Sequence, residues 1–194
     1  LSKLPDAGDA DPLRGGKFST WEGGHRVPCV MRWPGTIPAG RVCSDVVAAV
    51  DLFPTIAGVV GGDLPTHVRY TNGTTKPWVI DGKDAWPLIV GEVGATSQHE
   101  AIFYQQLWDT NYGAVNHVGA MRMGKWKYFP NRNELYDLSV DIGETTNVYS
   151  ANPTVVAQMD PLFNAYLSDI QVSNNGRPVY KENTPPMRYE PLFQ

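Results

Sequence analysis

Glycine and proline break this chain so often that only short elements fit between them: 19 glycines and 16 prolines are spread over 194 residues. Both residues punctuate helices and strands, so the fold has to be assembled from brief elements joined by turns. With 42% hydrophobic and 19% charged residues the composition is still that of a globular chain able to bury a core. Sixteen basic side chains stand against twenty acidic ones, and no Lys/Arg run forms the stripe that a phosphate backbone requires, so nucleic acid is not an expected partner. The longest apolar stretch, Val46 to Val60, is interrupted by Asp51 and Pro54, so no membrane span is expected. The chain opens on Leu1 without a basic-then-apolar leader, which puts the start of translation further upstream.

Periodicity assigns the elements. Residues 1–24 read as an extended loop, and Val27, Cys29, Met31 and Trp33 alternate in a strand from His25 to Trp33. Asp51 is read as the N-cap of a helix over Leu52 to Val60 that ends at Gly61-Gly62. Its apolar face, with Leu52, Ile56, Val59 and Val60, is expected to pack on the preceding strand. Residues 61–98 read as a turn-rich connection with one short helical piece around Ala85 to Val90. Ala101 to Gln105, Val115 to Met123, Lys125 to Phe129 and Glu134 to Leu138 then read as four strands of an antiparallel sheet, with a hairpin at Gly124. Asn152-Pro153 opens a helix whose stripe runs from Val155 to Leu167, and Pro161 predicts a kink or a division into two helices. The prolines of residues 171–194 suggest an irregular arm.

Cys29 and Cys43 are too few for a disulfide framework and lack metal-ligand spacing, so both read as small thiols. The sequon Asn72-Gly73-Thr74 would accept a glycan in a secreted eukaryotic protein.

The most informative stretch is Pro12-Leu13-Arg14-Gly15-Gly16-Lys17-Phe18-Ser19-Thr20-Trp21-Glu22-Gly23-Gly24-His25-Arg26-Val27-Pro28. Glycine pairs on both sides of Lys17 allow positive φ and close backbone approach. A lysine held there is a compact charge that binds an anion and stabilises negative charge on a leaving oxygen. The rival reading, a phosphate-binding P-loop, fails because Asp11 stands where its first glycine belongs and Phe18 follows the lysine instead of Ser or Thr.

This segment, continuing to Trp33-Pro34-Gly35, resembles the lysine loop of formylglycine-dependent sulfatases, in the alkaline-phosphatase-like superfamily. Ser44-Asp45, Asp51-Leu52-Phe53-Pro54-Thr55, Ile80-Asp81-Gly82-Lys83-Asp84 and Pro87-Leu88 follow the family order. So do Met121-Arg122-Met123-Gly124-Lys125-Trp126-Lys127 and Glu134-Leu135-Tyr136-Asp137-Leu138, with Asp141, Gly143, Glu144 and Asn147. The resemblance implies an α/β protein whose present chain, α+β in itself, is the C-terminal end of the sulfatase fold. Its expected parts are the end of the catalytic domain with the lysine loop (1–98), a small subdomain of about four antiparallel strands packed on a helix (99–170), and the arm (171–194).

By the same resemblance Lys17 is the catalytic and substrate-binding lysine that touches sulfate, while Arg26 and Glu22 fit buried ion-pair partners at least as well as catalytic groups. Tyr104, Trp108 and His117, with Tyr112 among them, are candidates for contact with an aglycone or sugar ring. Neither cysteine is followed by the Pro and Arg that formylglycine formation requires. The family's Asp-Asn metal pair lies about twenty residues before the loop lysine, upstream of Leu1, and Asp6, Asp9 and Asp11 do not reproduce it. No cofactor is therefore expected on this chain alone, whereas the full-length enzyme would carry Ca2+ and the formylglycine nucleophile in its N-terminal half.

The implied partners are a sulfate ester and that missing half, supplied in cis or in trans. Self-association is a further expectation, because a chain lacking the rest of a large sheet would expose the apolar faces of the 25–33 strand and the helix after Asp51. The chain alone is expected to be inactive, in a protein that the resemblance places as secreted, periplasmic or lysosomal. Two other functions fit the same residues: hydrolysis of a phosphonate or phosphodiester by a relative, and a non-catalytic binding or assembly module.

Overall fold

The structure, a computed structural model, describes residues 9–17, 19–69, 73–105 and 118–169. In chain order its elements are α1 (Glu22–His25), α2 (Leu52–Val59), β1 (His67–Arg69), β2 (Thr75–Pro77), α3 (Trp86–Val90), β3 (Ile102–Gln105), β4 (Val118–Met123), β5 (Trp126–Phe129), β6 (Glu134–Asp137) and α4 (Pro153–Asp169). The described residues fall into two compact units, residues 9–30 with 100–169, and residues 31–99.

In the first unit β3, β4, β5 and β6 form an antiparallel sheet in chain order, as their alternation predicts. Met123 faces Trp126 across the β4–β5 hairpin, whose turn residue Gly124 has φ of 54°. Successive side chains in a strand point to opposite faces, so each strand contributes to two cores. On one face Met121, Tyr128 and Leu135 pack against Val156, Met159 and Phe163 of α4. On the other Ala120, Phe129 and Tyr136 meet Trp21 and Tyr104. The sheet is thus held between the long helix and the lysine-bearing loop.

The helix α4 differs from expectation in one respect: it runs through Pro161 as one 17-residue element. Proline removes one backbone hydrogen bond, but Pro161 is exposed while Met159 and Phe163 on either side of it are buried against the sheet. Each fully buried side chain of that size is worth about 1.5–3 kcal/mol, enough to outweigh the lost bond. Phe103 and Tyr166 stack with ring centroids 3.9 Å apart and planes within 2°, fixing the far end of α4 to β3.

In the second unit α2 begins and ends as the sequence indicates, and Gly61 follows it with φ of 71°. Asp51 stands at its N-cap position, as the sequence indicates, but its side chain makes no capping bond to the helix. It closes a 3-10 turn over Ala49–Asp51, and its buried carboxylate accepts the amides of Ala48 (2.7 Å) and Lys83 (2.8 Å) and a bond from His99 Nε2 at 2.7 Å. The apolar face of α2 does not pack on a strand either: Leu52, Ile56 and Val60 are exposed. The turn-rich connection contains a small antiparallel ribbon, β1 with β2, which its polar sequence does not signal.

The strand expected over His25 to Trp33 is not formed. His25 ends α1, and residues 26–33 carry no ladder pairing among the described residues. A strand is defined by its neighbour's hydrogen bonds, and alternation alone cannot supply one. Of the alternating residues Val27 and Trp33 are 78% and 47% exposed and Cys29 is exposed, so they find no cover there. No helix of the described residues is long and apolar enough to cross a membrane.

Candidate functional site

The glycine-flanked loop is closed on itself. The Ser19 amide donates to the Gly16 carbonyl at 3.0 Å, the Ser19 hydroxyl donates to the same oxygen at 2.8 Å, and the Gly23 amide donates to the Arg14 carbonyl at 2.8 Å. Two glycines make this closure feasible. Gly15 has φ of 76°, and a Cβ on Gly24 would collide with the Ser19 carbonyl oxygen. The glycine pairs therefore serve the approach of the loop to itself, and Lys17 is carried outward, exposed, on the closed turn.

Below Lys17 the loop is fastened to the sheet by side chains that the strands present on one face. Trp21 packs on Phe129 with centroids 4.3 Å apart and meets Tyr136 edge-on at 5.8 Å. Arg14 lies 3.6 Å over the Trp21 ring while donating to the Glu144 carbonyl at 2.7 Å.

At the centre is Glu22, 1% exposed. Its Oε1 accepts from Lys127 Nζ at 2.9 Å, its Oε2 from Arg122 Nη1 at 3.3 Å, and Arg26 Nη1 lies 3.7 Å from Oε2. A second buried carboxylate, Glu144, accepts the Glu22 amide at 2.8 Å through Oε2, while its Oε1 has no hydrogen-bond partner among the described residues. Burying a charge is tolerable only when it is paired, and each member of this group is held by the others. Burial, opposed by the Glu22 amide and by Lys127, pushes the Glu144 carboxyl up to about 7. Burial likewise pulls the Lys127 ammonium below its ordinary range, against the attraction of Glu22 and Glu144.

Of the residues singled out from sequence, Lys17 is exposed at the loop tip and Tyr104 is half-buried on the loop face of β3. The Tyr104 ring carries Lys127 Nζ at 3.7 Å and lies 4.8 Å from the His25 ring, so it joins the anchoring group to the end of α1. Burial, then the nearby Lys127 charge, lowers the His25 imidazole below its usual range. Trp108, Tyr112, His117, Asn72 and the arm of residues 171–194 lie outside the described residues. Glu22 and Arg26 do form the ion pair the sequence allowed for, but Arg26 is on its half-exposed edge.

Sequence reasoning missed Lys127, Arg122, Glu144 and Arg14 as parts of this group. The one available signal was a lysine in phase with Phe129 on a strand, facing the buried side, which requires a buried carboxylate partner. Among the described residues no group of three or more His, Cys, Asp or Glu is arranged to hold a metal. Asp9 and Asp11, the described acids nearest the loop, belong to no such group and do not fit a calcium site.

Residues 16–165 match the family described as N-sulphoglucosamine sulphohydrolase, C-terminal. The chain is 44% identical over 91 residues to a steryl-sulfatase of Rattus norvegicus, covering 47% of this chain and 14% of that protein. It is 33% identical over 122 residues to an arylsulfatase of Hemicentrotus pulcherrimus, covering 63% and 18%. Among solved structures it is similar to Ps i-CgsB in complex with k-i-k-neocarrahexaose, with TM-score 0.62, 27% identity, and coverage of 81% of this chain and 32% of that one. A Bacteroides thetaiotaomicron protein described under the metabolism of multiple glycosaminoglycans shares the fold, with TM-score 0.60 at 24% identity over 80% of this chain and 32% of that one. The chain spans less than a fifth of the length of these two curated relatives.

Proposed function

We propose, from the premise that this chain belongs to the N-sulphoglucosamine sulphohydrolase C-terminal family, that it supplies the sulfate-gripping lysine to a sulfuric ester hydrolase acting on an aryl or carbohydrate sulfate. One observation carries the reading: Lys17 stands exposed on a loop whose base is fixed by the buried Glu22 group. An ammonium contributes to hydrolysis when it is held in place before charge develops on the sulfate and leaving oxygens, because it then needs no reorganisation during the reaction. The two loop closures and the Glu22 anchor give Lys17 that support. Lys17 binds and orients the anion, Glu22 with Lys127 and Arg122 fixes the loop, and Tyr104 lies at its side as a ring able to contact substrate.

Attack on sulfur requires a nucleophile, and none is identified on this chain, so the chain alone should bind but not turn over. The nucleophile and calcium belong to polypeptide outside it, which the exposed faces of α2 and residues 26–33 are suited to receive. The compartment proposed is that of secreted, periplasmic or lysosomal sulfatases.

The test is hydrolysis of 4-nitrophenyl sulfate and of a matching phosphonate ester by the enzyme that contains this chain. Preference for sulfate, with kcat/KM reduced about 100-fold or more in Lys17→Ala and only slightly relieved in Lys17→Arg, is the result expected. Preference for the phosphonate would move the assignment to that class of ester. Unchanged kcat/KM in Lys17→Ala would refute the role of the lysine.

A further inference from the structure

One residue holds both ends of the lysine turn. The Glu144 carbonyl accepts Arg14 Nη1 at 2.7 Å on the chain entering the turn, and the Glu144 Oε2 accepts the Glu22 amide at 2.8 Å on the chain leaving it. The two segments approach so closely that a Cβ on Gly143 would lie 3.1 Å from the Pro12 carbonyl oxygen. Glu144 itself has φ of 52°, in the left-handed region, where a residue other than glycine persists only if its surroundings over-determine it. They do so here. The Asp141 carboxylate accepts the amides of Thr145 and Thr146, at 2.9 and 2.8 Å, and the Thr145 hydroxyl at 2.9 Å, closing the backbone around Glu144.

The Glu144 side chain is fully buried, and its Oε1 has no hydrogen-bond partner among the described residues. Around it stand Glu22 of α1, Lys127 of β5, Arg14 of the loop and Tyr104 of β3, with Arg122 of β4 bound to Glu22. The Lys127 ammonium is committed to Glu22 Oε1 at 2.9 Å, and Arg14 Nη1 donates to the Glu144 carbonyl rather than to its carboxyl. An oxygen so placed costs less in a neutral acid than in a carboxylate, in keeping with a carboxyl that burial pushes up to about 7. We infer that Glu144 is a positioning residue for Lys17 and acts as a neutral acid: protonated it holds both ends of the turn that presents the ammonium, and ionised it competes with Glu22 for Lys127 and loosens that turn. The inference rests on the sulfate-binding reading of Lys17 and adds to it a control by protons. The grip on the anion is firmest on the acid side and declines as pH rises through about 7.

The experiment uses the enzyme that contains this chain. Its kcat/KM for 4-nitrophenyl sulfate is followed as pH rises through about 7 in the parent, Glu144→Gln and Glu144→Ala, each with and without Lys17→Ala. Glu144→Gln keeps the shape of the neutral acid and cannot ionise. Relative to it the parent should be equal on the acid side and about fivefold lower on the alkaline side. Glu144→Ala leaves the Glu22 amide without its acceptor and should lose about tenfold throughout. With Lys17→Ala in place both differences should shrink to less than about twofold, because the turn then presents no charge to misplace. If Glu144→Ala fails to fold, the comparison of the parent with Glu144→Gln decides by itself. A ratio of parent to Glu144→Gln that stays constant through the titration, or one that changes as much without the lysine as with it, would overturn the inference while leaving Lys17 its role. Full activity in Lys17→Ala would overturn the reading beneath it, and the inference with it.

Discussion

Lys127 Nζ lies 2.9 Å from Glu22 Oε1, joining two fully buried side chains that are 105 residues apart in sequence. This contact makes the lysine-bearing loop and the four-stranded sheet parts of one structure. The pair is a constraint on arrangement more than a source of stability, because the desolvation of two charges offsets most of their attraction.

Removing one partner should therefore be worse than removing both. Lys127→Met strands the Glu22 carboxylate and is expected to destabilise the chain by about 3–5 kcal/mol. The double variant Glu22→Gln with Lys127→Met should lose distinctly less. Urea denaturation of the two variants and the parent gives the comparison, and equal losses would contradict the account.

Glu144 makes the anchor sensitive to pH. It faces the Glu22 amide and carboxylate, Lys127 of β5, and Arg14 of the loop. Its pKa is raised from 4.5 to about 7, so the folded chain holds a proton that the unfolded chain releases between those values. The sign follows: this contribution to stability is fully present below pH 4.5, declines as pH rises, and is lost once pH passes the folded-state value near 7. At about 1.4 kcal/mol per unit the decline amounts to roughly 3 kcal/mol. Glu144→Gln should flatten that part of the stability–pH curve, measured by thermal denaturation across the interval, and an unchanged slope would exclude Glu144 as its source.

The two faces of the sheet should respond separately. Met159→Ala removes a fully buried side chain from the α4 face and should cost about 2–5 kcal/mol. Phe129→Ala, on the opposite face, should cost a similar amount and also loosen the Trp21 support of the loop. Hydrogen exchange of the Gly23 amide distinguishes them: it should accelerate in Phe129→Ala at a denaturant concentration where both variants remain folded, and hardly change in Met159→Ala.

Ile56 on α2 and Val60 just past its end are 60% and 74% exposed, and such a face promotes self-association when nothing covers it. Ile56→Lys with Val60→Lys should shift the chain toward monomer in size-exclusion chromatography and reduce its binding of an apolar dye, without lowering its denaturation midpoint. Unaltered association in the double variant would point to another surface.

Much of the fold was legible because its signals are local. The strands from Ile102 to Asp137 alternate, turn residues separate them, and Asn152-Pro153 marks the start of α4. The loop was legible by its resemblance to a family. What local pattern could not reveal was set by distant partners. Alternation over Val27 to Trp33 suggested a strand, but pairing needs a neighbour that the described residues do not provide. The carboxylate of Asp51 looked available to cap α2, yet the amides of Ala48 and Lys83 take it. Glu22 reads as an ion-pair partner by its place in the loop, but only folding brings Lys127 and Arg122 to it.

The division of labour along β5 leaves it little tolerance for insertion. Lys127 and Phe129 look toward the loop, Trp126 and Tyr128 toward α4. One extra residue absorbed within this strand would invert the parity of everything beyond it, sending an aromatic ring where the acid waits and an ammonium into hydrocarbon. Length changes in this region should therefore be confined to the turns that bound the strand, while substitutions that keep its phase can accumulate.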